Sequence, residues 1–246
     1  MKAGPFSLVL GILCLALIAA AQPGLAGGAW PRGKDKGFLS LSYSTFGDVM
    51  GYMQSLSYQV PGVEPVELTQ EIAAYFEYGI TENLTFGIDR IQRPHEHSFS
   101  TVYFLRRNYS RPNWRSSYGF EVGMGGYRDW RQINDTQFRV GASWGRGFET
   151  RWIDGWVDID AKMSGLDKAR TMAWKVDSTL GLKPGERSLF YLQMQSGALD
   201  GYPTYTRAQP TYVMKLGRGI SIESAVTIGL ENDESQGMKI GAWLDF

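Results

Sequence analysis

Two groups of residues in this chain have types that could do chemistry. Trp152, Asp154, Trp156, Asp158 and Asp160 follow one another at or near a spacing of two. On an extended strand residues two apart share a face, so carboxylates and indoles would project together. Such a face could hold a cation or stack a sugar ring. Carboxylates on one strand do not oppose each other across a cleft, as a glycosidase pair must. Arg139 and Lys175, on neighbouring segments, could instead balance them by cross-strand pairing, and that balanced ladder is the simpler reading. The second group is "RPHEHS", which holds the only histidines, His95 and His97. A histidine that activates a serine on the same strand face must stand two residues from it. His97 stands one residue from Ser98 and three from Ser100, so both serines would face away. A His-x-His metal site lacks further ligands nearby, and "RPHEHS" reads as a polar loop. "GMGG" is followed by no helical pattern and is no phosphate cradle. No catalytic residue, metal ligand or cofactor is expected.

The elements that carry these residues are strands. From "GFLSLSYSTF" (37–46) onward, apolar and polar residues alternate with period two, the mark of a strand with one apolar face. Twelve such segments recur, and none shows a helical period. Their polar sides carry the candidate lumen lining: Glu71, Glu77, Asp89, Arg106, Glu121, Arg139, Asp154, Trp156, Asp158, Asp160, Lys175, Asp177, Lys215 and Glu223. Charge almost never falls on the apolar side, where facing lipid at mid-depth would cost about 2–4 kcal/mol. The connections alternate between short turns ("ITEN", "SRPNWR", "RGFETR", "KPGE", "GRG") and longer polar loops, of which the first, from Gly47 to Leu68, is the longest. Aromatics near strand ends (Tyr43, Phe46, Tyr78, Tyr118, Trp144, Phe190, Tyr212, Phe246) suit interfacial girdles. The expected fold is therefore an all-β, transmembrane, antiparallel up-and-down β-barrel of twelve strands. Ten or fourteen stay open, because the tenth segment ("TYVMKLG") is weak and the first loop is long.

The remaining composition narrows the setting. Lys2, an uncharged apolar run from Phe6 to Ala21 and small residues up to Ala26 form an export leader, shorter than the roughly 20 residues of a spanning helix. The expected cut follows Ala26, with Ala21 as the alternative, so that 1–26 is a leader and 27–246 one barrel. The single cysteine, Cys14, lies inside the leader behind Leu13, which fits neither lipidation nor a disulfide framework. Three Asn-x-Ser/Thr triplets, at Asn83, Asn108 and Asn134, are read as chance occurrences. The 25 basic and 25 acidic side chains balance, which gives no reason to expect a nucleic-acid partner.

The chain closes on "KIGAWLDF", an alternation that runs to its last residue. Lys239, Gly241, Leu244 and Phe246 match the assembly signal shared by bacterial outer-membrane barrels. The start "GGAWPRGKDKGFLSLSYSTF" also resembles that of small outer-membrane barrels of Gram-negative bacteria. The resemblance spans that start, the strand plan and the end. It implies a place in the bacterial outer membrane, a lipid bilayer as surroundings and the barrel assembly machinery as a partner during biogenesis, while the alternation of short turns and longer loops over twelve strands puts both termini on the periplasmic side. It implies no defined activity. Three functions remain as expectations: a narrow channel for a small polar solute, a closed structural or surface-interaction barrel plugged by salt bridges, the first loop or residues 27–36, and, least favoured, a lipid-acting enzyme.

Overall fold

The computed structural model describes residues 28–57, 68–110, 116–233 and 235–246, with the backbone alone for 54–57. The leader with Cys14, and most of "SRPNWR", lie outside the described residues. The chain forms β1 (Gly37–Gly47), α1 (Val49–Ser57), β2 (Thr69–Gly79), β3 (Leu84–Arg93), β4 (Ser98–Tyr109), β5 (Ser116–Arg128), β6 (Asn134–Glu149), β7 (Asp154–Leu166), β8 (Met172–Gly185), β9 (Ser188–Leu199), β10 (Tyr205–Gly217), β11 (Ile220–Glu231) and β12 (Gln236–Asp245). Each strand pairs antiparallel with its sequence neighbour, and β12 returns to pair with β1, from Phe38 opposite Asp245 to Gly47 opposite Gln236. The result is the closed twelve-strand barrel that the alternation predicts. Closure leaves no edge with unpaired N–H and C=O groups. The last residue takes part in it: the Gly37 N–H donates to the Phe246 carbonyl at 2.6 Å, and the Phe246 N–H donates to the Gly37 carbonyl at 3.1 Å. Both chain ends of the barrel thus lie at one rim, called here the near end. α1 lies at the other rim, the far end.

Burial separates the two faces of the wall. Outward residues are apolar and exposed, among them Tyr103, Leu105, Phe120, Val122, Phe138, Val140, Leu192 and Ile228, while inward residues such as Glu77, Arg106, Glu121, Asp158 and Glu223 are polar and buried. This inverts a water-soluble core, and it is the sorting that a polar lumen inside an apolar belt requires.

Several expectations change at the strand ends. Beyond the first, the far-end connections shrink to four or five residues because the strands outlast their apolar alternation. β5 and β6, for instance, pair as far as Arg128 opposite Asn134. Four of the tight turns contain a non-glycine residue in the left-handed region, His97, Gln132, Arg170 and Asn232, and a fifth uses Gly201. The Tyr202 N–H closes the fifth on the Leu199 carbonyl, and in two of the other four an i→i+3 bond runs from the His97 N–H to Pro94 and from the Gln132 N–H to Asp129. That matches the type I turn with a following left-handed residue that joins antiparallel strands. The first connection is not wholly irregular, since it contains α1. Asp48 caps that helix: its carboxylate accepts from the Gly51 N–H at 2.8 Å, and its carbonyl accepts from the Tyr52 N–H at 2.9 Å. The tenth strand is longer than its apolar pattern shows and takes in Tyr205–Pro210. Pro210 lacks an N–H, and its place falls between the β10–β11 partners Ala208 opposite Ile228 and Thr211 opposite Ala225.

Candidate functional site

Every strand contributes its inward residues to one lumen, so the site is built by register. Two rows across the inner wall near the terminal rim show how. Asn108, Gly119, Ser143 and Asp160 stand opposite one another on β4 to β7, and beside them lies a second row of Ser117, Gly145, Asp158 and Thr179 on β5 to β8. The small residues make a trough, and residues 28–30 lie in it. A side chain at Gly119 would run into the Gly28 carbonyl, and one at Gly145 would run into the Trp30 ring. The Asn108 amide donates to the Gly28 and Ala29 carbonyls at 2.9 and 2.8 Å, and the Ser117 hydroxyl donates to the Ala29 carbonyl at 2.6 Å. Ala29 is 0 % exposed. The chain before β1 is therefore a stopper inside the near half of the barrel.

An apolar cluster surrounds the stopper. Phe38, Trp156, Leu189, Val213 and Trp243 point inward and pack together, with Trp30, Tyr75 and Tyr191 against them. Phe38 meets Trp243 edge-on at 5.8 Å between centroids, and the Arg32 guanidinium lies over the Phe38 ring at 4.5 Å. Around this core runs a chain of charge pairs. Glu77 accepts from Arg32 at 2.6 Å and also from Arg106 and the Tyr75 hydroxyl. Arg106 reaches Glu121 at 3.9 Å, Glu121 accepts from Arg139 at 2.9 Å, and Arg139 donates on to Asp89 at 2.6 Å. On the opposite wall Glu223 accepts from Lys239 at 3.0 Å, from the Tyr191 hydroxyl at 2.5 Å and from the Trp243 indole at 3.3 Å. Charges this deep cost several kcal/mol each to desolvate unless they are paired and bonded, and the pairing here is nearly complete.

The aspartate ladder is the exception, and it differs from the sequence expectation. Arg139 does not balance it, because that guanidinium turns the other way, to Glu121 and Asp89. Lys162, on the same strand, holds Asp160 at 3.0 Å, and Lys175 holds Asp177 at 2.9 Å. Asp158 is 2 % exposed and has no ion pair among the described residues. Trp152 leaves the group altogether: it sits in the near-end turn between β6 and β7, 86 % exposed. Asp154 and Lys215 lie inward at the near rim, and Glu71 lies at the far end, 3.2 Å from Arg93. All fourteen residues of the sequence-derived lumen set share the inward parity of their strands. Glu77, Asp158, Asp160, Asp177 and Glu223 also line a cavity of about 220 Å³, together with Gly28, Tyr191, Gln193 and Gln209.

The remaining sequence candidates are placed as follows. Of the assembly-signal residues, Lys239 and Gly241 face the lumen, Leu244 faces outward, and Phe246 covers Gly37 at the seam. Among the girdle aromatics Phe46 is a correction, since the parity of β1 turns it inward, where the Arg93 guanidinium lies over it at 5.9 Å. Tyr78, Tyr118, Phe190, Tyr212 and Phe246 stand outward towards the near rim, and Phe190 and Tyr212 pack at 4.6 Å. His95 and His97 occupy the β3–β4 turn, so strand parity does not govern them, and His97 has φ 51°. Among the described residues no group of three or more His, Cys, Asp or Glu could hold a metal ion. The sequence reading missed the inward apolar residues Phe38, Phe104, Val213 and Trp243, as well as Arg32 and Asn108. Glycine at two inward positions one strand apart, 119 and 145, was the available sign that something fills the near half.

No protein-family model and no curated protein sequence matches this chain. Solved structures do match it in fold. An outer membrane channel from Pseudomonas putida superposes with a TM-score of 0.55 at 10 % identity, over 92 % of this chain and all of the other. An active-site mutant of outer membrane phospholipase A from Escherichia coli superposes with a TM-score of 0.47 at 10 % identity, over 91 % of this chain and 94 % of that one. OmpT of Vibrio cholerae follows, with a TM-score of 0.40 at 8 % identity, over 86 % and 96 %.

Proposed function

We propose that this chain is a bacterial outer-membrane barrel whose lumen is a blind vestibule, open at the far end and stopped at the near end by residues 28–36. Of the sequence expectations this favours the closed barrel over the open channel. The observation that carries it is Ala29, fully buried within the barrel and held through its carbonyl by Asn108 and Ser117. The apolar outer wall supports insertion in lipid, where every backbone polar group must find a partner within the protein. In that reading the near rim faces the periplasm and the far rim, with α1, faces outward. β12, with Lys239, Gly241, Leu244 and Phe246, is the strand offered to the assembly machinery by strand addition.

A second reading, a narrow channel for small polar solutes, is supported by two features. The carbonyls of Gly28 and Ala29 are held by neutral hydrogen bonds worth about 1 kcal/mol each, and the cavity beside them holds Asp158, which has no ion pair among the described residues. The fold likeness to a bacterial outer membrane channel is compatible with it. Planar-bilayer recording of the leader-free protein separates the two. The vestibule reading expects silence, broken only by brief steps, whereas sustained conductance at low voltage overturns it. A requirement for detergent or lipid to stay folded and monomeric tests the membrane reading itself.

A further inference from the structure

The outer wall is largely apolar, with outward cations such as Arg107 and Arg146 towards the near rim and a polar sector at the far end. There β3 to β6 present their outward residues in level rows fixed by the register. The lowest row is Ile88, Tyr103, Met124 and Phe138, the next is Arg90, Thr101, Gly126 and Thr136, and the highest is Gln92, Phe99, Arg128 and Asn134. Polarity changes from hydrocarbon to hydrogen-bonding within one step along the strands, about 7 Å. Arg90 and Arg128 flank one ring: each guanidinium carbon lies 5.2 Å from the Phe99 centroid. Their other partners are all neutral. Arg90 donates to the Thr101 hydroxyl at 2.8 Å and the Gln92 side-chain amide oxygen at 3.2 Å, and Arg128 donates to the Asn134 side-chain amide oxygen at 2.8 Å. Neither arginine has a carboxylate partner among the described residues, whereas Arg93 and Arg131 nearby pair with Glu71 and Asp129.

Two cations brought to one ring and left without an anion repel each other unless a negative group comes between them. Gly126 leaves the wall low directly beside Phe99, whose ring edge would be 3.8 Å from a side chain there. We propose that Arg90 and Arg128, with Phe99 between them and Thr101 below, form a docking site for the phosphate of an anionic lipid headgroup. Guanidinium groups match phosphate oxygens in pairs. The Tyr103, Met124 and Phe138 row beneath receives the acyl chains. The charge of the site and its continuity with the apolar belt together choose a lipid over a soluble anion. The proposal rests on the membrane reading above.

The test uses the leader-free full-length barrel in neutral detergent micelles doped with either phosphatidylglycerol or phosphatidylcholine. Lipid retained by the folded protein is counted by native mass spectrometry. Retention of phosphatidylglycerol is expected to fall on the order of tenfold or more in the Arg90→Ala/Arg128→Ala double variant, with phosphatidylcholine unchanged. The Arg90→Lys/Arg128→Lys variant keeps the charge and is expected to lose only the part that depends on paired N–H groups. Equal phosphatidylglycerol retention by wild type and the alanine variant overturns the site. Full displacement of the lipid by 10 mM inorganic phosphate, a concentration chosen on the order of 10² times that of the protein, overturns the lipid assignment. Both side chains lie on the outer surface, and gel mobility with and without heating reports folding independently. Failure of the membrane reading would appear separately, as no insertion into phosphatidylcholine vesicles at all.

Discussion

The two halves of the lumen solve the same problem in opposite ways. In the near half, inward charges are buried behind the stopper and the aromatic cluster, and each of Glu77, Arg106 and Glu121 has at least one opposite charge within 4 Å. In the far half some inward charges are far more exposed. Lys175 is 40 % exposed in its pair with Asp177, and Arg93 is 41 % exposed in its pair with Glu71. A buried pair is held by the cost of leaving either partner alone, whereas an exposed pair contributes almost nothing to stability. The near half is therefore a core that happens to be polar, and the far half is a wetted wall. Only the second kind of surface is free to meet a solute.

That contrast can be broken at its strongest point first. Arg106→Ala leaves Glu77 and Glu121 buried with less compensation, and the expected loss is about 3–5 kcal/mol, read as a lower urea midpoint for unfolding from detergent. A loss under about 1 kcal/mol would mean that water reaches the near half. Gly119→Val drives a side chain into the Gly28 carbonyl without touching a charge. Overpacking of this kind costs about 1–3 kcal/mol, and the expected relief is withdrawal of residues 28–30, seen as sustained conductance steps in planar bilayers. Gly165→Ala, which meets nothing within 4 Å, is the silent control. Lys175→Ala, in the wetted half, is expected to shift stability by less than about 1 kcal/mol, while making the vestibule more attractive to cations in a reversal-potential measurement on the Gly119→Val background.

The smallest effect lies beyond the wall, in the far turn between β5 and β6. Burial pushes the Asp129 carboxyl up, but the N–H groups of Ile133 and Arg131 and the Arg131 guanidinium outweigh it and hold the group below the usual aspartate range. A carboxyl lowered on folding adds stability above its unfolded value and loses it as the pH falls through the folded one. Amide exchange at Arg131 and Ile133 is therefore expected to speed up below about pH 4, and Asp129→Asn is expected to flatten that dependence.

The alternation was legible because it is local. Leu39, Leu41 and Tyr43 against Ser40, Ser42 and Ser44 needs only the pleat of one strand, and the same holds for the fourteen inward positions. The strand count followed from the number of such segments. The strand ends were not legible, since Asn134 or Thr206 pairs across the ladder without any apolar signal of its own. Pro210 reads locally as a loop, yet it sits inside β10, opposite Leu192 of β9, because the strands on either side carry the ladder past it. Trp152 shared parity with Asp154 on paper and lost it when the chain turned at 150–153. Arg139 could reach two neighbouring strands, and parity alone could not tell which carboxylates it would meet.

The sequence by itself determined an all-β wall, with twelve as the leading strand count, and the shared face of its polar positions, because a two-residue period on a pleated backbone puts residues two apart on one side. Only the tertiary structure decided what fills the wall. Asn108 meets Gly28 across 80 positions of chain, and Phe38, Trp156 and Trp243 meet from three separate strands. Those encounters depend on the stagger accumulated from strand to strand around the closed circumference, a quantity that no single segment contains.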